Sequence, residues 1–309
     1  MQKTSLPGYE EESEGVKLVT FDEGRVGRVD GEEIAVLDAP TMREYFERSG
    51  AAETGERVPI DSARLQAPIR PRKFIHTAGN FREHEEESKN VGWSHQIAPW
   101  IVFFQNVDAI VGPDEPVIYP AHLTEELDYE LELAVVIAKA GKHFGVDEAM
   151  DYVGGYVVFD DITARDIQRG EMRSGVFSFW KAIDTFCPLG PWIVTPDEIA
   201  DPHDLAMELR VNGEVRQESH SGRMSVTIPE ILSNFSGLTY SAGDVLSTGT
   251  VSGVAGFKSP EERALLYLKP GDVIEAEIEG IGVLRNPVIS WQEGHGTPAP
   301  PPIRPWGDA

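Results

Sequence analysis

The run Leu127-Asp-Tyr-Glu-Leu-Glu-Leu-Ala-Val-Val-Ile137 constrains this chain more than any other. Side chains of a strand alternate between its faces, so Asp128, Glu130 and Glu132 share one side, Leu131 and Leu133 the other. The continuation through Val135 and Ile137 predicts a core strand. A row of carboxylates beside a core is expensive unless positive charge neutralises it. Either the acidic face lies in solvent, or it holds a hard cation through carboxylate oxygens. Glu275, Glu277 and Glu279 alternate with Ile274, Ala276 and Ile278 in the same way, so the pattern alone leaves both outcomes open.

A second apolar run, Tyr156 to Phe159, ends in Asp160 and Asp161, with Arg165 and Asp166 just beyond. It reads as a strand delivering one carboxylate ligand, or as a strand end followed by a turn capped by Asp161 or Thr163. Lys73 to Glu87 reads as a strand, a turn at Gly79, then a helix. Asn80 and Glu83 have the spacing of a capping box. His84 and Glu87, at i and i+3, can touch. A carboxylate beside an imidazole raises its basicity and fixes its tautomer, as a general base acting on water requires. An exposed acidic helix with an incidental His84 is the alternative. His76 and His95 flank the helix without zinc-ligand spacing.

Elsewhere, Leu18–Phe21, Val26–Val29 and Ile34–Leu37 read as short strands separated by turns, and Thr41 as the N-cap of a short helix. A polar, proline-bearing connector spans residues 50 to 71. Asn212-Gly213 marks a hairpin, Pro229 the first turn of a helix that Gly237 ends, and Pro270-Gly271-Asp272 a turn. Residues 1–16 read as a disordered lead-in, and Pro298 to Pro305 as an extended tail.

With 27 basic against 52 acidic residues, the net charge of −25 argues against nucleic acid and against an anionic membrane surface. The single cysteine, Cys187, excludes an internal disulfide and suggests a reducing compartment. It reads as a buried apolar residue, with no base beside it. The start of the chain lacks the basic and apolar character of a signal peptide, and no run approaches the roughly 18 apolar residues of a membrane helix, so a cytoplasmic location is expected.

Taken in order, these segments resemble the fumarylacetoacetate hydrolase family. Gly79-Asn80-Phe81-Arg82-Glu83-His84-Glu85-Glu86-Glu87 is similar to its histidine–glutamate motif, with Phe81 for the usual Tyr. Asp128-Tyr129-Glu130-Leu131-Glu132-Leu133 resembles its acidic strand, and Asp161-Ile162-Thr163-Ala164-Arg165-Asp166-Ile167-Gln168 its following aspartate segment. Lys181 to Pro191, Ser247 to Gly253 and Pro270 to Pro287 complete the set. Members often carry a lysine where this chain has Gln105.

The resemblance implies an α+β, strand-rich roll of mixed β-sheets. It divides the chain into a small N-terminal α/β domain (1–70), a catalytic domain (71–292) and a Pro-rich tail (293–309). By it, Glu130, Glu132 and Asp161 hold Mg²⁺ or Mn²⁺, with Asp128 and Asp160 as neighbours. His84 and Glu87 activate water, Lys181 stabilises an enolate, and Arg165, Gln168, Gly249 and Thr250 contact substrate. The implied reaction is metal-dependent hydrolysis of a carbon–carbon bond in a 2,4-diketo acid, an acylpyruvate or a diketo-deoxy sugar acid. Oxaloacetate-type decarboxylation and oxo-diacid isomerisation use the same site, and a metal-binding protein without catalysis is a further alternative. The expected partners are a small keto acid and a second copy in a homodimer, with neither nucleic acid nor membrane.

Overall fold

Turn chemistry organises the first part of the chain. The computed structural model describes residues 16–90 and 100–303; the expected lead-in up to Gly15, His95 and the last residues of the tail lie outside them. Strands β1 (Lys17–Phe21), β2 (Arg25–Asp30) and β3 (Glu33–Leu37) form an antiparallel meander. Thr41 accepts the Glu44 N–H and starts α1 (Met42–Glu47), which buries Met42 and Phe46. The segment expected as a polar connector instead contains β4 (Glu53–Pro59) and β5 (Leu65–Gln66). β4 is an edge strand with almost every side chain exposed, so it carries no apolar alternation that sequence could reveal.

The chain continues through β6 (Phe74–Ala78), α2 (Arg82–Asn90), β7 (Ile101–Phe104), β8 (Ile110–Val111) and β9 (Val117–Tyr119). Then come β10 (Leu127–Asp128), β11 (Leu131–Ile137), α3 (Val146–Ala149), β12 (Val153–Asp160), β13 (Thr163–Ala164) and α4 (Arg165–Met172). β14 (Cys187–Val194), β15 (Ala206–Val211), β16 (Glu214–His220), α5 (Ile228–Phe235) and β17 (Val245–Thr250) follow. The last elements are α6 (Pro260–Leu266), β18 (Val273–Ile278), β19 (Gly282–Ser290) and α7 (Trp291–His295). α7 runs across the tail boundary drawn at residue 292.

A 12-stranded sheet has the order β4-β3-β2-β1-β14-β12-β11-β17-β6-β7, with β5 beside β1 and β8 beside β14. The N-terminal meander enters it through β1, where Leu18 pairs with Ile193. A five-stranded sheet, β16-β15-β18-β19-β9, packs against it, and β10 and β13 form a two-stranded ribbon. Most pairings are antiparallel, but β17·β6, β14·β8 and β19·β9 are parallel. The fold is thus α+β, strand-rich and built of mixed sheets.

The central strands β11 and β12 are buried on both faces. Leu131, Leu133, Val135 and Ile137 enter one core with Tyr156 and Val158, while Ala134 and Val136 enter another with Val157, Phe159 and Phe74. Glu132 shares the parity of that second set. The acidic run is therefore not one continuous strand. It breaks at Tyr129 and Glu130, where three side chains take over the backbone hydrogen bonds. Asp128 Oδ1 accepts the Tyr129 N–H (2.9 Å), Asp160 Oδ1 the Glu130 N–H (2.8 Å) and Gln217 Oε1 the Leu131 N–H (2.8 Å). Buried N–H groups must be paired, and here polar side chains replace a neighbouring strand.

The hairpin at Asn212-Gly213 forms with both residues at positive φ, 54° and 78°. Pro229 lies in the first turn of α5 as expected, under a Thr227–Glu230 capping box, but the helix ends at Phe235 without a left-handed Gly237. The expected capping box of Asn80 and Glu83 is absent. Asn80 instead donates to Val226 O (3.0 Å) and accepts the Val226 N–H (2.9 Å). Among the described residues no helix is long and apolar enough to cross a membrane.

Candidate active site

Four strand ends converge on one pocket: the start of β11 and the ends of β12, β17 and β6. In register, Leu131 faces Asp160, Glu132 faces Thr250, and Ser247 faces His76. Glu130, Glu132, Asp161, Arg165, Gln168, Lys181, His84 and Thr250 all line the pocket, with Thr77, Phe103, Phe177 and Phe257 among its walls. Of the residues singled out from sequence, Glu87 and Gly249 stand just outside that lining.

Lys181 is the positive centre of the cluster. It ends the short 3-10 turn Phe179–Lys181, and its Nζ donates to Glu130 Oε2 (2.7 Å), Thr163 Oγ1 (2.9 Å) and Asp161 Oδ2. Burial alone would depress its pKa, but Asp161, Glu130 and Glu132 reverse that and hold the ammonium charged. Arg165 opens α4 and is buried, with each of its three guanidinium nitrogens donating one hydrogen bond. Nε donates to Asp128 Oδ2 (2.7 Å), one terminal nitrogen to Glu130 Oε1 (2.6 Å), and the other to Gln168 Oε1 (3.0 Å). Arg165, expected at the substrate, lines the pocket and also positions Glu130 and Gln168. Burial raises the Glu130 pKa, but Lys181 and then Arg165 outweigh it and keep this carboxylate well below its usual range.

The remaining acids lack that compensation. Burial and then the charge of Asp161 push Glu132 well above the usual carboxylate range, although Lys181 offsets part of the rise. Asp160, demoted to a neighbour at the outset, is pushed up to about 8, first by burial and then by Asp161 and Glu130, against the opposing Glu130 N–H. Glu132, Asp161 and His76 each offer one ligand atom, all within 4.8 Å of one another. This donor set fits a divalent cation, because another positive charge is what the cluster lacks. Among the expected trio Glu130, Glu132 and Asp161, it is Glu130 that stands apart from this grouping, its oxygens drawn to Arg165 and Lys181. His76 falls within that grouping, with no spacing signal in the sequence to announce it.

Around the acids, several groups that could have met a substrate are tied down. Gly249, at φ 91°, turns its N–H to Glu132 Oε2 (3.2 Å), which the Ser247 hydroxyl also contacts. The Thr250 hydroxyl donates to Leu131 O (3.2 Å) and accepts from Gln217 (3.2 Å). Both residues therefore shape the acidic strand. Gln105 Nε2 donates to Asp161 Oδ1 (3.1 Å), placing an amide where the family resemblance implies a lysine. Cys187 is buried, and burial followed by the nearby Asp161 charge raises its pKa well above the thiol range.

His84 stands apart from this network. It is buried against the Phe257 ring (4.8 Å between centroids), and its Nδ1 lies 3.9 Å from Glu87 Oε2, beyond hydrogen-bond reach. Glu87 accepts the Gly253 N–H (2.9 Å) and pairs with Lys258 (3.3 Å). Burial lowers the His84 pKa to about 4, with Arg165 and Lys181 pushing the same way and Glu130 opposing. The imidazole is neutral at physiological pH.

Residues 73–289 match the family described as fumarylacetoacetate (FAA) hydrolase C-terminal, and residues 17–68 the Rv2993c-like N-terminal family. A mitochondrial oxaloacetate tautomerase of Rattus norvegicus is 38% identical over 261 residues, covering 81% of this chain and 80% of that protein. Among solved structures, a fumarylacetoacetate hydrolase from psychrophilic Exiguobacterium antarcticum superposes with a TM-score of 0.76 at 34% identity, covering 89% of this chain and 99% of that one. A 5-carboxymethyl-2-hydroxymuconate delta-isomerase from Mycobacterium smegmatis gives 0.71 at 31% identity over 89% and 99% of the two chains. With a pocket of buried acids around a lysine at the meeting point of four strand ends, and with most of its length matched, this chain belongs to the fumarylacetoacetate hydrolase family.

Proposed function

We propose that this protein is a divalent-cation-dependent enzyme that shifts a proton beside the keto group of a 2-oxo acid, with oxaloacetate as the first substrate to test. The observation that carries this reading is a neutral imidazole, His84, sharing a buried pocket with the cationic Lys181 and three carboxylates. Keto–enol interconversion moves one proton from C3 to the C2 oxygen as the double bond passes from C2–O to C2–C3, and it breaks no carbon–carbon bond. A base for C3 must be unprotonated at the working pH, and the buried His84 meets that condition. The negative charge that develops on the keto oxygen needs a preorganised cation, which Lys181 provides. Gln168, its Oε1 held by Arg165, has its amide N–H groups left to orient a substrate carboxylate. A divalent cation held at the carboxylates of Glu132 and Asp161 would supply Lewis-acid stabilisation of the same charge. The relatives named oxaloacetate tautomerase support this choice of substrate.

Hydrolytic cleavage of a 2,4-diketo acid is the second reading. It is supported by the proximity of His84 to Glu87 and by the solved hydrolase neighbour. It requires the 3.9 Å gap between those side chains to close, so that Glu87 can orient the imidazole for attack by water.

The deciding experiment follows the ultraviolet absorbance of enol-oxaloacetate and of an acylpyruvate panel with Mg²⁺, Mn²⁺ or chelator. Cation-dependent decay of the enol, lost in His84→Ala, is the expected result. Pyruvate release from a diketo acid would select the hydrolase instead. Decay that proceeds equally with chelator would refute the cation-dependent reading.

A further inference from the structure

His76 is a buried histidine for which neither the fold nor the reaction accounts. Its backbone is fixed in the parallel pairing of β6 with β17, opposite Ser247. Its ring is fully buried and walled by Phe74, Phe103 and Phe159, with centroids 4.6, 4.7 and 5.1 Å away. Neither ring nitrogen has a hydrogen-bond partner. Nδ1 lies 3.5 Å from Asp161 Oδ2, in a group of ligand atoms completed by Glu132. Buried polar atoms in native proteins are almost always paired, and an exception beside the pocket-lining Asp161 calls for an occupant that supplies the missing partner. Three aromatic walls supply no donor or acceptor. A cation between the imidazole and the two carboxylates would satisfy the nitrogen and relieve the repulsion between the acids at once.

We propose that His76 joins Glu132 and Asp161 as a nitrogen ligand, so that this centre selects Mn²⁺ or another first-row transition ion over Mg²⁺. The inference rests on the cation-dependent reading given above and specifies its ion. Mg²⁺ favours oxygen ligands and keeps its waters, whereas imidazole suits transition ions, whose affinities exceed that of Mg²⁺ once nitrogen enters the shell. Gln105 and Lys181 reinforce the arrangement by holding both oxygens of Asp161 in place. An all-carboxylate site would leave His76 unpaired and discriminate weakly between the two ions.

The test uses the metal-stripped full chain. Mn²⁺ and Mg²⁺ are titrated calorimetrically into wild type, His76→Gln and His76→Leu, and Mn²⁺-loaded wild type is examined by pulsed paramagnetic resonance with and without ¹⁵N-histidine labelling. A histidine nitrogen coupled to Mn²⁺ is expected, together with an Mn²⁺-over-Mg²⁺ preference that drops about tenfold or more in both variants. Mn²⁺ bound without nitrogen coupling overturns the ligation, and an unchanged preference overturns the selectivity. If both variants fail to fold, the wild-type spectrum alone decides. Absence of any divalent binding sinks this inference together with the cation-dependent function. Nitrogen-ligated Mn²⁺ in a protein inert toward oxaloacetate sinks only the choice of substrate.

Discussion

Lys181 and His84 show how burial sets opposite charge states a few side chains apart. Lys181 remains cationic because Asp161, Glu130 and Glu132 surround it; His84 loses its proton because burial is not balanced by a hydrogen-bonded acid. Removing the lysine charge should therefore expose the repulsion among the acids. Lys181→Met is expected to cost about 3–5 kcal/mol in chelator. Part of that loss should return on adding Mn²⁺, so the variant gains more melting temperature from the ion than wild type does. Equal gains in the two proteins would show that lysine and cation do not share the task of neutralisation. His84 gives a pH signature of defined sign. Its folded pKa of about 4 lies below the unfolded value near 6.5, so its contribution to stability is complete above pH 6.5 and is lost as pH falls toward 4. Between pH 7 and pH 4.5, without added cations, wild type should lose about 2 kcal/mol more unfolding free energy than His84→Gln. Parallel losses in denaturant titrations would mean that the imidazole is not held neutral.

Individual elements divide into those whose cause is local and those whose cause lies far along the chain. Thr41 bonding Glu44, the Asn212-Gly213 turn and the alternation of Ile274, Ala276 and Ile278 all arise within a few residues, and all were legible. Asn80 was misread as a cap because its actual partner, Val226, is 146 residues away. The break of the acidic run at Tyr129 was hidden for the same reason, since Asp160 and Gln217 supply the hydrogen bonds that let the strand leave its sheet. The acids and the lysine of the site were recognisable as motifs. That Arg165 serves Glu130, and that His76 comes within reach of Asp161, depends on strand register, which no spacing encodes. The long-range role of Asn80 can be checked directly. Asn80→Leu leaves the Val226 N–H and C=O unpaired and should cost roughly 2–5 kcal/mol in urea unfolding. Glu83→Ala, which removes a partly exposed pair with Arg223 and the bonds from Ser219 and Ser252, should cost about 1 kcal/mol, less than Asn80→Leu. Comparable losses from the two substitutions would restore the capping-box reading.

The whole molecule presents an edge that a single chain leaves open. β7 ends the large sheet and, among the described strands, pairs only with β6. Its two faces have different surroundings: Phe103 lines the pocket, while Phe104 on the other side is 53% exposed. Trp100 and Val102 extend the exposed surface along the strand. Unpaired apolar edges invite association unless they are covered or charged, and among the described residues β7 carries no charge to deter it. The net charge of −25 works the other way, because two copies repel until salt screens them. A homodimer formed through β7 should therefore tighten as ionic strength rises, and light scattering should give twice the mass of one chain. Phe104→Asp adds an acid to that edge and should return the mass to a single copy. Because Phe103 is its neighbour on the strand, the same variant also tests whether pairing shapes the pocket. A monomeric variant with full activity would make each site complete within its own chain, one with impaired turnover would tie catalysis to the edge, and a wild type that stays monomeric in high salt would refute the β7 dimer outright.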